Sequence, residues 1–308
     1  MQRASFTLTA ADGVALFVQG WRPEATPRGI VQIAHGLAEH GGRYARLAAA
    51  LTEAGYAVYA SDHRGHGRSA RTPEDLGFFA AGDGWSKCLD DLWQLNRRLA
   101  ADHPGAPIIL LGHSMGSFMV QQLISEHGDA LAGVVLSGSG GKPSPLAAAG
   151  RLVARIERLR LGPRGRSRLI HALSFGAFNK PFEPARTSFD WLSRDPSEVD
   201  KYVADPLCGF TASVQLWIDL LDALAEIARP ERQARIPKSL PIYVIAGDRD
   251  PVGADTRSVE QLLAAYRRAG LERVTHRFYP GARHELFNET NRDEVARDLI
   301  AWLDGAIR

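Results

Sequence analysis

The segment APIILLGHSMGSFMVQQLISEHG restricts the fold of this chain more than any other. An apolar run of strand length, residues 107–111, meets an apolar stretch of helical length, residues 115–127, with only Gly112, His113 and Ser114 between them. A strand can pass into a helix over so few residues only through a tight turn. Side chains two positions before and two after its apex would collide with neighbouring backbone, so Gly112 and Gly116 read as steric requirements. The apex residue, Ser114, then stands exposed at the carboxyl end of a strand, beside a helix N-terminus that favours negative charge. Gly-x-Ser-x-Gly alone is a weak pattern; between a strand and a helix it becomes a specific one.

Further apolar runs supply the rest of a sheet: GIVQIAHG from Gly29, YAVYASDH at 56–63, LAGVVLSGS at 131–139, LPIYVIAGD at 240–248 and RVTHRFYP at 273–280. The first two, short and continuously apolar, suit strands buried on both faces of a parallel sheet. Helical stretches at 43–54, 84–102, 256–269 and 291–306 alternate with them, the first two stopped by Gly55 and by Pro104-Gly105. Residues 4–21 open the chain as a hairpin around Ala11-Asp12-Gly13. The alternation predicts an α/β fold, a mostly parallel sheet with helices on both faces. Residues 140–236 break it: they carry seven prolines from Pro143 to Pro206 and no convincing buried strand. The expected organisation is a core domain of residues 1–139 and 237–308 with a helical cap insertion at 140–236.

Composition narrows the function classes. Hydrophobic residues make up 45% of the 308 and charged residues 23%, which excludes a disordered chain, collagen and a coiled coil. Lys plus Arg total 37 against 35 for Asp plus Glu, a balance that argues against a nucleic-acid partner. Cys88 and Cys208 have no metal-binding spacing and read as free thiols of a reducing compartment. The N-terminal MQRASFTLTAADG holds no signal-peptide core, and no run reaches the ~18 apolar residues of a membrane span. The expected location is the cytoplasm. Neither H-E-x-x-H nor a cysteine cluster occurs, so no metal and no cofactor is implied.

A serine nucleophile needs a base, and the base needs an orienting carboxylate. With the serine on a strand-to-helix turn, the acid is expected after a late strand and the histidine after the next one. Asp248 and Asp250 follow YVIAG, and His284 follows RFYPGAR. Asp250 is favoured as the acid and Asp248 as a turn or capping residue. His276 lies inside a strand, His171 in the insertion and His127 at a helix end. His35, His63, His66 and His113 flank loops near the sheet's carboxyl edge and are expected to shape the site. Backbone N–H groups of Met115, after the serine, and Leu37, after the early strand, are the expected oxyanion-hole donors.

Three further segments carry a resemblance. Asp62-His63-Arg64-Gly65-His66-Gly67-Arg68-Ser69 resembles the D-x-R-G-x-G-x-S segment of α/β-hydrolases. His35-Gly36-Leu37-Ala38-Glu39-His40-Gly41-Gly42-Arg43-Tyr44 is similar to the H-G-x-x-E-H-x-x-R-Y of the monoacylglycerol lipase and lysophospholipase branch, which carries the serine aminopeptidase S33-type hydrolase domain. Gly247-Asp248-Arg249-Asp250-Pro251-Val252 resembles that branch's G-x-x-D-x-x-V, whose fourth residue is the acid, and the resemblance thereby selects Asp250. Position 117, often Gly in that branch, is Ser here. The resemblance implies the α/β-hydrolase fold and a serine hydrolase acting on an acyl ester or lipid, monoacylglycerol or lysophospholipid, with Ser114, Asp250 and His284 as its triad. The alternatives are an aminopeptidase or amidase using the same three residues, and a non-catalytic binding protein on the same fold.

Specificity is expected in the insertion. From 151 to 168 it holds seven arginines and one acidic residue, Glu157. Leu152, Ile156 and Leu159 share one helical face there. That face either docks on an anionic membrane as a peripheral contact, guards a lipid-sized pocket, or packs against the sheet domain. Phe175, Phe178, Phe182, Phe210 and Trp217 are candidates to line an acyl pocket. The segments Phe189–Asp195 and Asp205–Phe210 resemble insertion segments of bacterial members of the branch, with no role legible from spacing.

Overall fold

The computed structural model of the protein describes residues 1–143 and 145–307. Ser144, within the expected insertion, and Arg308, the last residue of the expected core, lie outside the described residues. Eight strands form one sheet: β1 Gln2–Thr9, β2 Ala15–Arg22, β3 Gly29–Ala34, β4 Tyr56–Ser61, β5 Ile108–His113, β6 Gly133–Ser137, β7 Ile242–Gly247 and β8 Val274–Tyr279. Their order is β1-β2-β4-β3-β5-β6-β7-β8. The hairpin β1–β2 is antiparallel and joins β4 antiparallel; every pair from β4 to β8 is parallel. This is the expected arrangement, an α/β-hydrolase sheet.

Strand residues alternate between two cores, as the pleat requires. Ile108 and Leu110 of β5 face one side with the helices α2 (Gly84–Asp102), α3 (Met115–His127) and α10 (Arg257–Arg268). Ile109 and Leu111 face the other, with α1 (Ala45–Glu53) and α11 (Arg292–Ala306). Both faces are therefore covered, and the strands bury every residue of β3 to β7. Leu37, Ser114, Asp250 and His284 lie in the loops that follow the carboxyl ends of β3, β5, β7 and β8, and Met115 opens α3.

Six helices come between β6 and β7: α4 Pro145–Leu161, α5 Arg168–Leu173, α6 Phe175–Asn179, α7 Pro196–Ala204, α8 Val214–Ile227 and α9 Pro230–Gln233. Among the described residues, no strand interrupts them. The orientation of α4 resolves one alternative. Leu152, Ile156 and Leu159 do not pack on the sheet; they are 63%, 55% and 87% exposed, while Ala154 and Glu157 turn inward. Arg151 and Arg158 reach across to Asp222 and Gln215 of α8 at 2.6 and 2.5 Å. Cys88 and Cys208 are both free and buried. No helix among the described residues is long and apolar enough to cross a membrane.

Candidate active site

Ser114 sits at φ 50° and ψ −122°, immediately before the first residue of α3. A non-glycine residue held there stores backbone strain of about 1–3 kcal/mol, which persists only where the surroundings over-determine it. The flanking glycines show how. A Cβ on Gly112 would lie 2.6 Å from Gly116 O, and one on Gly116 would lie 2.1 Å from Ala34 O at the end of β3. The turn is thus pressed against its own helix and against the neighbouring strand, as the sequence pattern anticipates. Ser137 O accepts the Ser114 N–H at 2.9 Å.

The expected acid and base meet. His284 Nδ1 lies 2.9 Å from Asp250 Oδ2, with both side chains essentially buried. Val252 N donates to the other carboxylate oxygen of Asp250 at 2.9 Å, so Asp250 is fixed from two directions. Asp248, at 2.7 Å from Gly281 N, caps the next turn, the lesser role expected of it. Among the described residues no hydrogen bond joins Ser114 Oγ to His284; such bonds commonly tighten only in the substrate complex. His113, next to Ser114, brings its ring within 4.7 Å of the His284 ring.

Electrostatics singles out His284 among the histidines of this edge. Burial depresses His35 well below the ordinary value, His63 and His113 to about 4, and His66 to about 3. Burial opposes the charge of His284 too, yet the charge and hydrogen bond of Asp250 outweigh it and raise its pKa. The others stay neutral and structural: His63 N donates to His35 Nε2 at 3.0 Å, and the His35 ring lies 4.0 Å from that of His63.

The expected oxyanion loop lies beside the serine. A Cβ on Gly36 would come 3.2 Å from Ser114 Cβ. Leu37 follows it, and among the described residues its N–H has no hydrogen-bond acceptor. Glu39 braces the loop, accepting from Gly36 N at 2.6 Å and from Tyr44 Oη at 2.9 Å. Arg43 links Glu39 (2.9 Å) to both oxygens of Glu285 (2.5 and 2.7 Å). Burial would raise the Glu285 carboxyl, but Arg43 draws it down to about 2. Met115 N–H opens α3 and so contributes the positive end of a helix dipole.

Two residues lay beyond sequence reasoning. Gly138 (φ 57°) leaves room for the His284 ring, since a Cβ there would lie 2.9 Å from His284 Cε1 and 3.1 Å from His113 Cε1. The glycine-rich Ser137-Gly138-Ser139-Gly140-Gly141 was its only trace. Trp191 brings its ring within 5.1 Å of His284, and behind it Phe175 and Phe178 pack at 5.8 and 5.1 Å. Of the expected pocket aromatics, Phe175 and Trp217 are buried, and Phe178, Phe182 and Phe210 are partly so.

Donor atoms of His40, Asp205 and Cys208 lie within 4.8 Å of one another, a spacing a metal could use. The hydrogen bonds assign a different role. Gly42 N donates to His40 Nδ1 at 3.2 Å, which leaves the ring proton on Nε2, donated to Asp205 Oδ2 at 2.9 Å. His40 therefore presents no lone pair to a cation and instead ties two loops together.

Known proteins share this arrangement of sheet and loops. The chain is 31% identical to the monoacylglycerol lipase of Mycolicibacterium smegmatis, over 98% of this chain and 97% of that protein. It is 31% identical to the human monoglyceride lipase, over 96% of this chain and 89% of that protein. The crystal structure of a highly thermostable carboxyl esterase from Bacillus coagulans, in complex with glycerol, superposes with a TM-score of 0.92 at 30% identity, covering all of both chains. The model of the serine aminopeptidase S33 family matches residues 25–291, and the chain belongs to that family of α/β-hydrolases.

Proposed function

We propose that this serine ester hydrolase cleaves monoacylglycerols, with lysophospholipids as the neighbouring substrate class, through an acyl-enzyme on Ser114. The observation that carries the reading is the buried Asp250–His284 pair at 2.9 Å, on the same sheet edge as the strained Ser114 turn. Ser114 Oγ attacks the ester carbonyl while His284 Nε2 takes its proton. Asp250 holds Nδ1–H and stabilises the imidazolium. The N–H groups of Leu37 and Met115 receive the oxyanion. Collapse returns the proton from His284 to the departing alcohol. Water, deprotonated by His284, then attacks the acyl-enzyme, and His284 returns that proton to Ser114 Oγ as the fatty acid is released.

The substrate class rests on the monoacylglycerol lipases to which the chain is similar and on the aromatic side chains that pack toward the base. The inserted helices act in this reading as a cap over the acyl chain. The outer face of α4, with Leu152, Ile156 and Leu159 exposed among arginines, extends the reading to peripheral contact with an anionic lipid surface. An aminopeptidase would need a carboxylate left over for the substrate's ammonium group. Glu39 and Glu285, which flank the site, are instead taken up by Arg43 and by backbone and tyrosine donors.

Initial rates on long-chain monoacylglycerol, lysophosphatidylcholine, p-nitrophenyl butyrate and an aminoacyl anilide test the proposal, with Ser114→Ala alongside. The expected result is fastest turnover of monoacylglycerol and a loss of about 10⁶ in kcat for Ser114→Ala. A variant that keeps half its activity sinks the nucleophile assignment, and cleavage of the anilide alone sinks the ester reading.

A further inference from the structure

The segment Phe189–Asp195, for which the sequence offered no role, is bonded along its length to the loop that carries His284. Trp191 O and Leu192 O accept the consecutive N–H groups of His284 (3.4 Å) and Glu285 (2.8 Å). Ser193 Oγ donates to Asn288 O at 2.8 Å. Arg194 donates from its backbone N to Glu289 Oε1 at 3.0 Å and from Nε to Oε2 at 2.8 Å. The Glu289 side chain is fully buried. Its Oε1 also accepts the N–H of Arg283, the residue preceding the base, at 2.9 Å. Arg283 in turn donates to Asp190 O and Ser193 O.

Asp250 fixes only the ring of His284. The backbone that delivers the ring belongs to a loop outside regular strand or helix, and a loop of that kind needs partners of its own. Those partners are supplied by the inserted segment, with the Arg194–Glu289 pair as its charged centre. We propose that Arg194, acting through Glu289, is a positioning residue for the His284 base, so that this stretch of the insertion belongs to the catalytic apparatus as well as to the cover above it. The proposal rests on the reading of His284 as the base. A displacement of about 1 Å at a reacting group is enough to lower a rate by up to 10²-fold.

The test uses the intact chain and p-nitrophenyl butyrate, a soluble ester that needs no lipid surface. Arg194→Met alone strands a buried carboxylate, so Arg194→Met/Glu289→Gln is compared with it; the glutamine keeps an acceptor for Arg283 N–H. The expected result for the double variant is a kcat lower by about tenfold with KM within about twofold. The acid limb of its pH profile should move to lower pH, because a loosened His284–Asp250 contact stabilises the imidazolium less. Arg194→Lys restores charge at a single point and should recover part of the rate. Arg277→Ala, which removes an exposed ion pair to Glu294 and Asp298, should leave all of these unchanged. An unchanged kcat and an unmoved acid limb, with only a lower melting temperature, overturn the proposal. If the double variant does not fold, Ser193→Ala decides, with a kcat about two- to threefold lower expected and an unchanged one overturning it. Ser114→Ala separates the two levels of argument: activity retained there defeats the reading of the site itself.

Discussion

Two stretches of the same inserted run relate to the sheet in opposite ways. In α4, Leu152, Ile156 and Leu159 are turned into solvent, and Arg151 and Arg158 bind α8, another inserted helix. From Phe189 to Phe210, by contrast, Trp191, Leu192, Val199, Tyr202 and Cys208 are buried. This second stretch grips both functional loops. It receives the His284 N–H, and it gives Ala38 O, beside the oxyanion loop, the Tyr202 hydroxyl at 2.9 Å and Gly209 N–H at 3.0 Å. Continuity along the chain therefore says little about mechanical continuity. A side chain standing in water can change what the surface binds. A side chain whose hydrogen bonds end on a functional loop can change where the reacting atoms sit.

The scale for that contrast comes from breaking the base's orientation outright. Asp250→Asn should lower kcat on a soluble ester by about 10⁴, because the amide no longer enforces the Nδ1–H tautomer. Its pH dependence sharpens the point. In the proposed mechanism His284 acts as a base only when neutral, and Asp250 raises its pKa despite burial. Activity of the native chain should thus fall as pH drops through a value above that of an ordinary histidine. In Asp250→Asn the plateau falls and the acid limb moves to lower pH. A limb that stays in place would assign the titration to another group, and His113, which burial holds down to about 4, is a poor candidate.

Tyr202→Phe probes the docked stretch more gently. It removes one hydroxyl donor from Ala38 O and leaves Gly209 N–H in place. The expected loss is about 0.5–1.5 kcal/mol of stability, read by urea unfolding. A kcat about two- to fivefold lower should accompany it, because Ala38 (φ 58°) adjoins the Leu37 donor and its left-handed backbone depends on being held. Stability lost with kcat intact would detach this stretch from the chemistry.

The sheet was legible in the sequence because buried parallel strands write themselves as short apolar runs. The six parallel strands β3 to β8 lie where the short apolar runs fall, although β8 exposes Thr275, His276 and Arg277, and the β1–β2 hairpin was marked by its Asp12-Gly13 turn. The elbow was legible because its glycines are demanded by contacts within one turn and one neighbouring strand. The pairing of Asp250 with His284 was anticipated from chain order, although the spacing alone left Asp248 as a rival; the structure gives Asp248 a turn to cap. Gly138 and the Arg194–Glu289 pair were not legible. The first is required by a ring that arrives from a strand two places along in sequence, and the second joins residues far apart whose meeting no periodicity encodes. The direction of the α4 stripe was equally hidden. Helical spacing shows that Leu152, Ile156 and Leu159 share a face, and the same spacing serves a face turned inward or outward.

The smallest expected effect on turnover is also the one that best divides the two stretches. Leu152→Ser/Ile156→Ser/Leu159→Ser removes the apolar row of α4. Surface substitutions away from buried groups usually shift stability by no more than about 0.5 kcal/mol, so melting should barely change. The rate on p-nitrophenyl butyrate should stay within about twofold, since none of the three side chains reaches a functional loop. Binding to vesicles is another matter. Fully burying one such side chain is worth about 1.5–3 kcal/mol, and each nearby arginine adds ~1 kcal/mol at an anionic surface. Co-sedimentation with anionic vesicles at low salt should therefore be strong for the native chain and largely lost in the triple variant. Equal sedimentation of the two removes the proposed membrane role of α4. A loss of soluble-ester turnover matching that of Tyr202→Phe would do more: it would make α4 a support of the reacting groups, and the division between docked and outward-facing stretches would fail.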